Sequence, residues 1–210
     1  MKLYDCQMAP NPRRVRIFLA EKGLDIPKVE VSIIDGDNLK PDYLKVNPRG
    51  LLPVLELDDG TLLDETVAIC RYIEEVHPEP NLMGGPGLDK AIVESWQRHM
   101  EFDGLASAGE TLRNSFPPFK TRGLPGVTDV AAIPALVERG TAGVKRFYER
   151  LEQRLGETEY IAGNKYTIAD ITALCVMDVT TKMLKMDIPA ENINTKRWYD
   201  AVSARPSAKA

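Results

Sequence analysis

The sequence predicts an α+β N-terminal domain over residues 1–76, a linker over 77–87 and an all-α helical bundle over 88–210. Three observations carry this division. The first 76 residues alternate short strand patterns with helical spacing. The linker, HPEPNLMGGPG, packs three prolines and three glycines into eleven residues. After it, apolar residues recur only at helical spacing, with no strand alternation.

Lys2 to Cys6 reads as the first strand, and Gln7 to Pro12 as a proline-rich loop. Helical spacing begins near Arg13. Val15, Ile17, Phe18, Leu19 and Leu24 form its apolar face, with Arg14, Arg16, Glu21 and Lys22 expected to point elsewhere, and Gly23 is a natural C-cap. Val29 to Ile33 alternates as the second strand, far enough on for a right-handed parallel crossover. Asp35 to Asn38 is a turn, and Lys40 to Val46 a short helix. Leu51 to Leu57 is the third strand, with Pro53 near its start, where the missing N–H is tolerated. Asp58-Asp59-Gly60 makes a hairpin turn, Thr61 to Leu63 returns, and Val67, Ala68, Ile69, Tyr72 and Ile73 continue as a helix. This β-α-β-α-β-β-α order matches a thioredoxin-like domain, here without a C-x-x-C pair.

In the second half, Leu88 to about Arg113 reads as one helix, residues 114–127 as a loop, and Asp129 to Leu155 as a second long helix. Thr167 and Asp170 form a capping box ahead of the helix that carries Ile171, Leu174 and Cys175, worth about 1 kcal/mol.

Composition excludes several classes of function. Hydrophobic residues make up 43% and charged residues 28% of the 210-residue chain, as in ordinary globular proteins. A net charge of −4 without a basic run argues against nucleic acid. No apolar run approaches the roughly 18 residues that span a bilayer. The N-terminus lacks a secretory core, so the cytoplasm is expected. Cys6, Cys70 and Cys175 are widely spaced and odd in number, implying reduced, buried thiols rather than disulfides or a metal site.

The functional signal is concentrated in Arg49–Arg71. Leucine followed by proline at a strand entrance is a place for a cis bond, which would turn the Leu52 N–H and C=O outward to pair with an extended peptide. Glu65 and Thr66 then put a carboxylate and a hydroxyl at a helix N-terminus, where unpaired N–H groups favour anions.

This stretch resembles the glutathione-binding half of the glutathione transferase superfamily. The likeness extends to Tyr160–Gly163, to the Thr167/Asp170 box and to Ser203–Pro206, and so covers essentially the whole chain. The resemblance implies that Leu52, ahead of cis-Pro53, pairs with the cysteinyl part of glutathione and that Glu65 and Thr66 hold its γ-glutamyl end. Glutathione would be a co-substrate rather than a resident cofactor, and no metal is implied. The partners implied are a small hydrophobic electrophile and a second copy of the chain in a homodimer, with neither nucleic acid nor membrane. Conjugation is the leading activity. Peroxide or disulfide reduction, and a non-catalytic binding protein on the same fold, are the alternatives.

The chain departs from the family where the thiol is activated. Ala9 stands at the usual serine position, Pro10 at the cysteine of some branches, and Tyr4 lies too early. Asn11 is the polar side chain left in that loop, as thiolate donor or as a loop-shaping residue, and Gln7 is a weaker candidate. Ser95, His99 and Asp103 recur at four-residue steps on one helix face. His99 is a second catalytic candidate, and Asp103 could instead meet the glutathione amine or serve a subunit contact. Leu51 occupies the position where several branches carry lysine, leaving Asn38 and Lys40 for the glycyl carboxylate.

Overall fold

The structure, a computed structural model, describes all 210 residues. Strands β1 (Lys2–Asp5), β2 (Lys28–Glu30), β3 (Val54–Glu56) and β4 (Leu62–Asp64) form one sheet in the order β2-β1-β3-β4. β1 runs parallel to β2 (Leu3 opposite Lys28) and antiparallel to β3 (Leu3 opposite Leu55), and β3 pairs antiparallel with β4 (Val54 opposite Asp64). Helices α1 (Pro10–Glu21), α2 (Pro41–Leu44) and α3 (Thr66–Val76) complete this thioredoxin-like half. The third strand is shorter than the predicted Leu51–Leu57: its first three residues lie outside the ladder, keeping their backbone free of it.

Helix α1 corrects the sequence reading twice. It starts at Pro10 rather than near Arg13, with Ala9 as N-cap; proline is preorganised for the first helical position. Its charged residues also do not point to solvent. Arg14 and Arg16 are 2% and 3% exposed, and Lys22 is buried with them. The helix is packed between the sheet and the helical domain, so each charge needs a buried partner. Arg14 Nη2 meets Glu101 at 2.6 Å, Arg16 Nη1 meets Asp5 at 2.5 Å, and Lys22 Nζ meets Glu74 at 2.6 Å.

The linker is anchored. Leu82 and Met83 are buried, and their N–H groups donate to the Glu74 carboxylate at 3.0 and 3.3 Å. The Glu79–Pro80 bond is cis.

The second half contains α4 (Leu88–His99), α5 (Ala106–Ser115), α6 (Pro134–Glu157), α7 (Ile168–Asp178) and α8 (Ile193–Ser203). The single helix predicted over Leu88–Arg113 is interrupted by a π-helical turn, Met100–Leu105. Gly104 in that turn lies against Phe147, where a Cβ would come within 2.8 Å of the ring. Gly140 and Gly143 of α6 likewise let it approach Ser107 and Thr111 of the preceding helix. Every residue of α7 is buried. One apolar cluster of 34 buried residues runs from Leu3 to Val202, so the two halves share a core.

Asp170 does more than cap α7. Its carboxylate accepts the Thr167 N–H at 2.9 Å, the Ile161 N–H at 3.0 Å and the Trp198 indole N–H at 2.9 Å, all buried. Asp170→Ala is therefore expected to cost more than the about 0.5–2 kcal/mol of a lost cap, because each stranded donor adds about 1–3 kcal/mol. Burial pushes this carboxyl up to about 6 from its ordinary 3.8, against the pull of its donors. A raised folded-state value means that stability from this group is fully present at low pH and lost as pH rises through about 6. Urea unfolding from pH 4 to 7 should show the gap between wild type and Asp170→Asn narrowing as pH rises.

Candidate functional site

The site is built where three backbone features converge. The Leu52–Pro53 bond is cis. The Leu52 side chain is buried in a small cluster with Cys6, Val31, Tyr43 and Val54, against which Ala9 packs. Its backbone N–H and C=O have no partner within the protein, whereas the neighbouring Leu51 carbonyl accepts from Tyr43 Oη at 2.6 Å and Asn47 Nδ2 at 3.0 Å. The segment is thus held from one side and presents an open peptide edge on the other.

The β3–β4 register sets Asp64 opposite Val54 and so brings Glu65 and Thr66 alongside Pro53. Glu65, with φ 65°, turns the chain into α3. Thr66 opens the helix with its hydroxyl unpaired, and the first turn of α3 contains no acidic residue, so its field favours a negative group. The Glu65 carboxylate meets Arg49 Nη1 at 2.6 Å, with Asp64 3.4 Å from the same nitrogen. Arg49 was not singled out from sequence: the pairing crosses the hairpin, and only the folded turn makes it.

The third feature is the start of α1. Pro10 and Pro12 have no N–H, and Arg13 N–H is used by the Ala9 carbonyl at 3.2 Å. Asn11 N–H is the one free backbone donor of that turn. The Asn11 Oδ1 accepts from Arg14 Nη1 at 3.1 Å, which leaves the side-chain NH₂ as its second available donor. Asn11 is thus a half-buried helical residue with two donors, rather than the loop residue predicted.

The other candidates fall elsewhere. Asn38 is buried, donates to the Gly50 carbonyl at 2.7 Å and has its Oδ1 unpaired. Lys40 is exposed and paired with Asp37 at 2.5 Å. His99 and Asp103 do share a face, lining a cleft of about 350 Å³ with Trp96, Phe147 and Arg150, but all its lining residues come from the helical domain. Asp103 is paired there with Arg150 at 2.7 Å, and His99 stacks edge-on against Trp96. Gln97 and Glu101 instead turn inward, toward Thr172 of α7 and Arg14 of α1. All three cysteines are buried and unpaired; burial pushes Cys70 up to about 12 and Cys175 up to about 11, so neither is a nucleophile at neutral pH.

An open peptide edge thus lies between two helix N-termini and an acidic-hydroxyl pair, and comparison with known proteins gives the family. The family profile described as "Glutathione S-transferase, N-terminal domain" matches residues 9–76, and "Glutathione S-transferase, C-terminal domain" matches residues 125–206. This chain belongs to the glutathione S-transferase family. The transferase is 30% identical to glutathione S-transferase 2 of Saccharomyces cerevisiae, over 100% of this chain and 88% of that protein. The crystal structure of Gtt2 from the same yeast superposes with a TM-score of 0.90 at 30% identity, covering 100% of this chain and 99% of the other. A glutathione S-transferase domain-containing protein of Marinobacter aquaeolei superposes at 0.88 with 32% identity, covering 99% of each chain. No helix of the transferase is long and apolar enough to cross a membrane.

Thr66→Ala is expected to weaken glutathione binding by about 1–3 kcal/mol, the worth of a hydrogen bond to a charged group. Glu65→Gln should weaken it in the same direction, because it removes the negative charge set at this helix start. Calorimetric titration with glutathione checks both; unchanged affinity in the two variants would remove these residues from the site.

Proposed function

We propose that the transferase binds glutathione extended along Leu52 and uses its thiolate to attack small hydrophobic electrophiles. In this reading Leu52 pairs with the cysteinyl unit beside cis-Pro53, while Glu65 and Thr66 hold the γ-glutamyl end. Glutathione is a co-substrate, consumed at each turnover. The observation that carries the reading is the unpaired backbone of Leu52 beside the free donors of Asn11 and Thr66.

A free thiol has pKa about 8.5, so only a few per cent is ionised at neutral pH. Alanine at the N-cap of α1 contributes no hydroxyl. The Asn11 N–H and NH₂ converge at that helix end, and hydrogen bonds to the anion lower its pKa. One charge-assisted bond supplies about 1.4 kcal/mol, or one pKa unit. The thiolate sulfur then bonds to the electrophilic carbon, and the leaving group departs with its electron pair. Met8, 71% exposed beside this helix start, and Phe116 beyond α5 offer apolar surface to the electrophile. Exposed Leu88 and Ile92 of α4 and Phe102 of the π turn supply apolar surface for a homodimer.

Asn11→Ala should raise the thiol pKa of bound glutathione by about one unit and lower turnover at neutral pH, with affinity at high pH nearly unchanged. His99→Ala should leave the titration where it is. Ultraviolet titration of bound glutathione reads both. Assays with a chlorinated nitroaromatic and an organic hydroperoxide separate conjugation from peroxide reduction; inactivity with both, despite binding, would favour a binding protein.

A further inference from the structure

Arg14 of α1 is 2% exposed, yet four of its five N–H groups are engaged, by partners on four elements. Nε donates to Thr172 Oγ1 of α7 at 3.0 Å, and Nη1 donates to Asn11 Oδ1 at 3.1 Å. Nη2 donates to Glu101 Oε1 of the π turn at 2.6 Å and, also at 2.6 Å, to the side-chain oxygen of Gln97 in α4. The fully buried Gln97 amide lies this way round because its NH₂ then donates to the Ile168 carbonyl at 3.0 Å and to Thr172 Oγ1 at 2.9 Å.

The cluster is held from behind. Glu101 Oε2 accepts from Arg98 Nη1 at 2.5 Å, and Arg98 Nε donates to Glu94, one helical turn back, at 2.7 Å. Cys70 of α3 and Cys175 of α7 also lie near Arg14, but burial keeps both thiols protonated at neutral pH, so Glu101 is its counter-charge.

A guanidinium held at four points cannot turn, and this decides the state of Asn11. A carboxamide has two ends of similar shape and opposite polarity, an acceptor oxygen and a donor NH₂. With the Asn11 oxygen taken by Arg14, the NH₂ is the end left over. It has no partner in the protein and reaches solvent at the first turn of α1. Released from Arg14, the amide can turn over and set its oxygen toward the same point, where it would repel a thiolate.

We propose that Arg14 is a positioning residue for thiol activation: it locks the Asn11 amide with its NH₂ outward, while Glu101, Gln97 and Thr172 of the helical domain lock Arg14. The donor to sulfur belongs to the first domain, but its direction is set by the second. Arg14, sealed beneath Asn11, acts only through it. This inference rests on the reading of Asn11 as the thiolate donor.

The test is ultraviolet titration of glutathione bound to the full chain, in wild type, Asn11→Ala, Arg14→Met and the double variant. Arg14→Met should raise the thiol pKa by about one unit, a tenfold loss of thiolate at lower pH and the same shift expected of Asn11→Ala. The double variant should move no further than either single one, since both remove one interaction. Calorimetric affinity for S-methylglutathione, which has no thiol to ionise, should stay within about twofold in all three variants. Arg14→Lys keeps the charge beside Glu101 but, as a point donor, cannot hold Asn11, Thr172 and Glu101 together. It covers the case in which Arg14→Met fails to fold, and it should shift the titration by the same amount. A thiol pKa unmoved in either Arg14 variant, or a double variant that adds the two shifts, overturns the proposal. An Asn11→Ala titration that coincides with wild type overturns the Asn11 reading itself, and this inference with it.

Discussion

The structure depends on α1 being buried on both sides. Val15, Ile17, Phe18 and Leu19 are buried in the shared apolar core, and charges of the same helix meet the helical domain. Arg13 pairs with Asp178 of α7 at 2.5 Å, Arg14 with Glu101 of the π turn, and Glu21 with Arg205 near the C-terminus at 2.6 Å. Such pairs add little net stability over an apolar contact, since desolvation offsets the Coulomb gain. Breaking one, however, strands a buried charge at about 3–5 kcal/mol. They act as registration pins, setting where α1 sits between the two domains and so where its first turn emerges.

That emergence makes the site. The first turn of α1, the first turn of α3 and the Leu52 backbone come from three separate places in the chain, and sheet register brings them to one edge. Each contributes donors without an internal acceptor. Two prolines strip the start of α1 to a single backbone N–H, and Arg14 engages the Asn11 oxygen from below. The buried arginine that ties the domains together is thus also the group that decides which end of the Asn11 amide faces outward.

The helical domain follows a complementary logic. Glycines at 104, 140 and 143 let α4–α5 and α6 approach closely, and the π turn absorbs the change of phase between the core-facing halves. Beyond this contact the chain cannot continue as a helix through Pro117 and Pro118, and it leaves the bundle for the sheet domain. There Arg122 docks on Ile33 and Ile34, and Gly126 on Arg49–Leu51 just ahead of Leu52. The two halves are joined at a shared core, by charges along α1 and by this strap.

By itself the sequence determined what depends on neighbours in the chain. The order of strands and helices, the proline at the entrance of β3, the Glu65-Thr66 helix start and the capping box at Thr167 and Asp170 were legible because propensity, turn chemistry and capping act over a few residues. Tertiary structure decided the rest. Helical periodicity marked Arg14, Arg16 and Lys22 as outward-facing, but packing turned Arg14 to Glu101 of the second domain, Arg16 back to Asp5 of β1 and Lys22 to Glu74 of α3. The four-residue spacing of His99 and Asp103 correctly put them on one face, while only packing showed that this face lines a cleft against α6. The pairing of Arg49 with Glu65, the second and third ligands of Asp170 and the reach of the strap all join residues distant in sequence. No local pattern encodes them, because their partners are chosen by how two domains fit together.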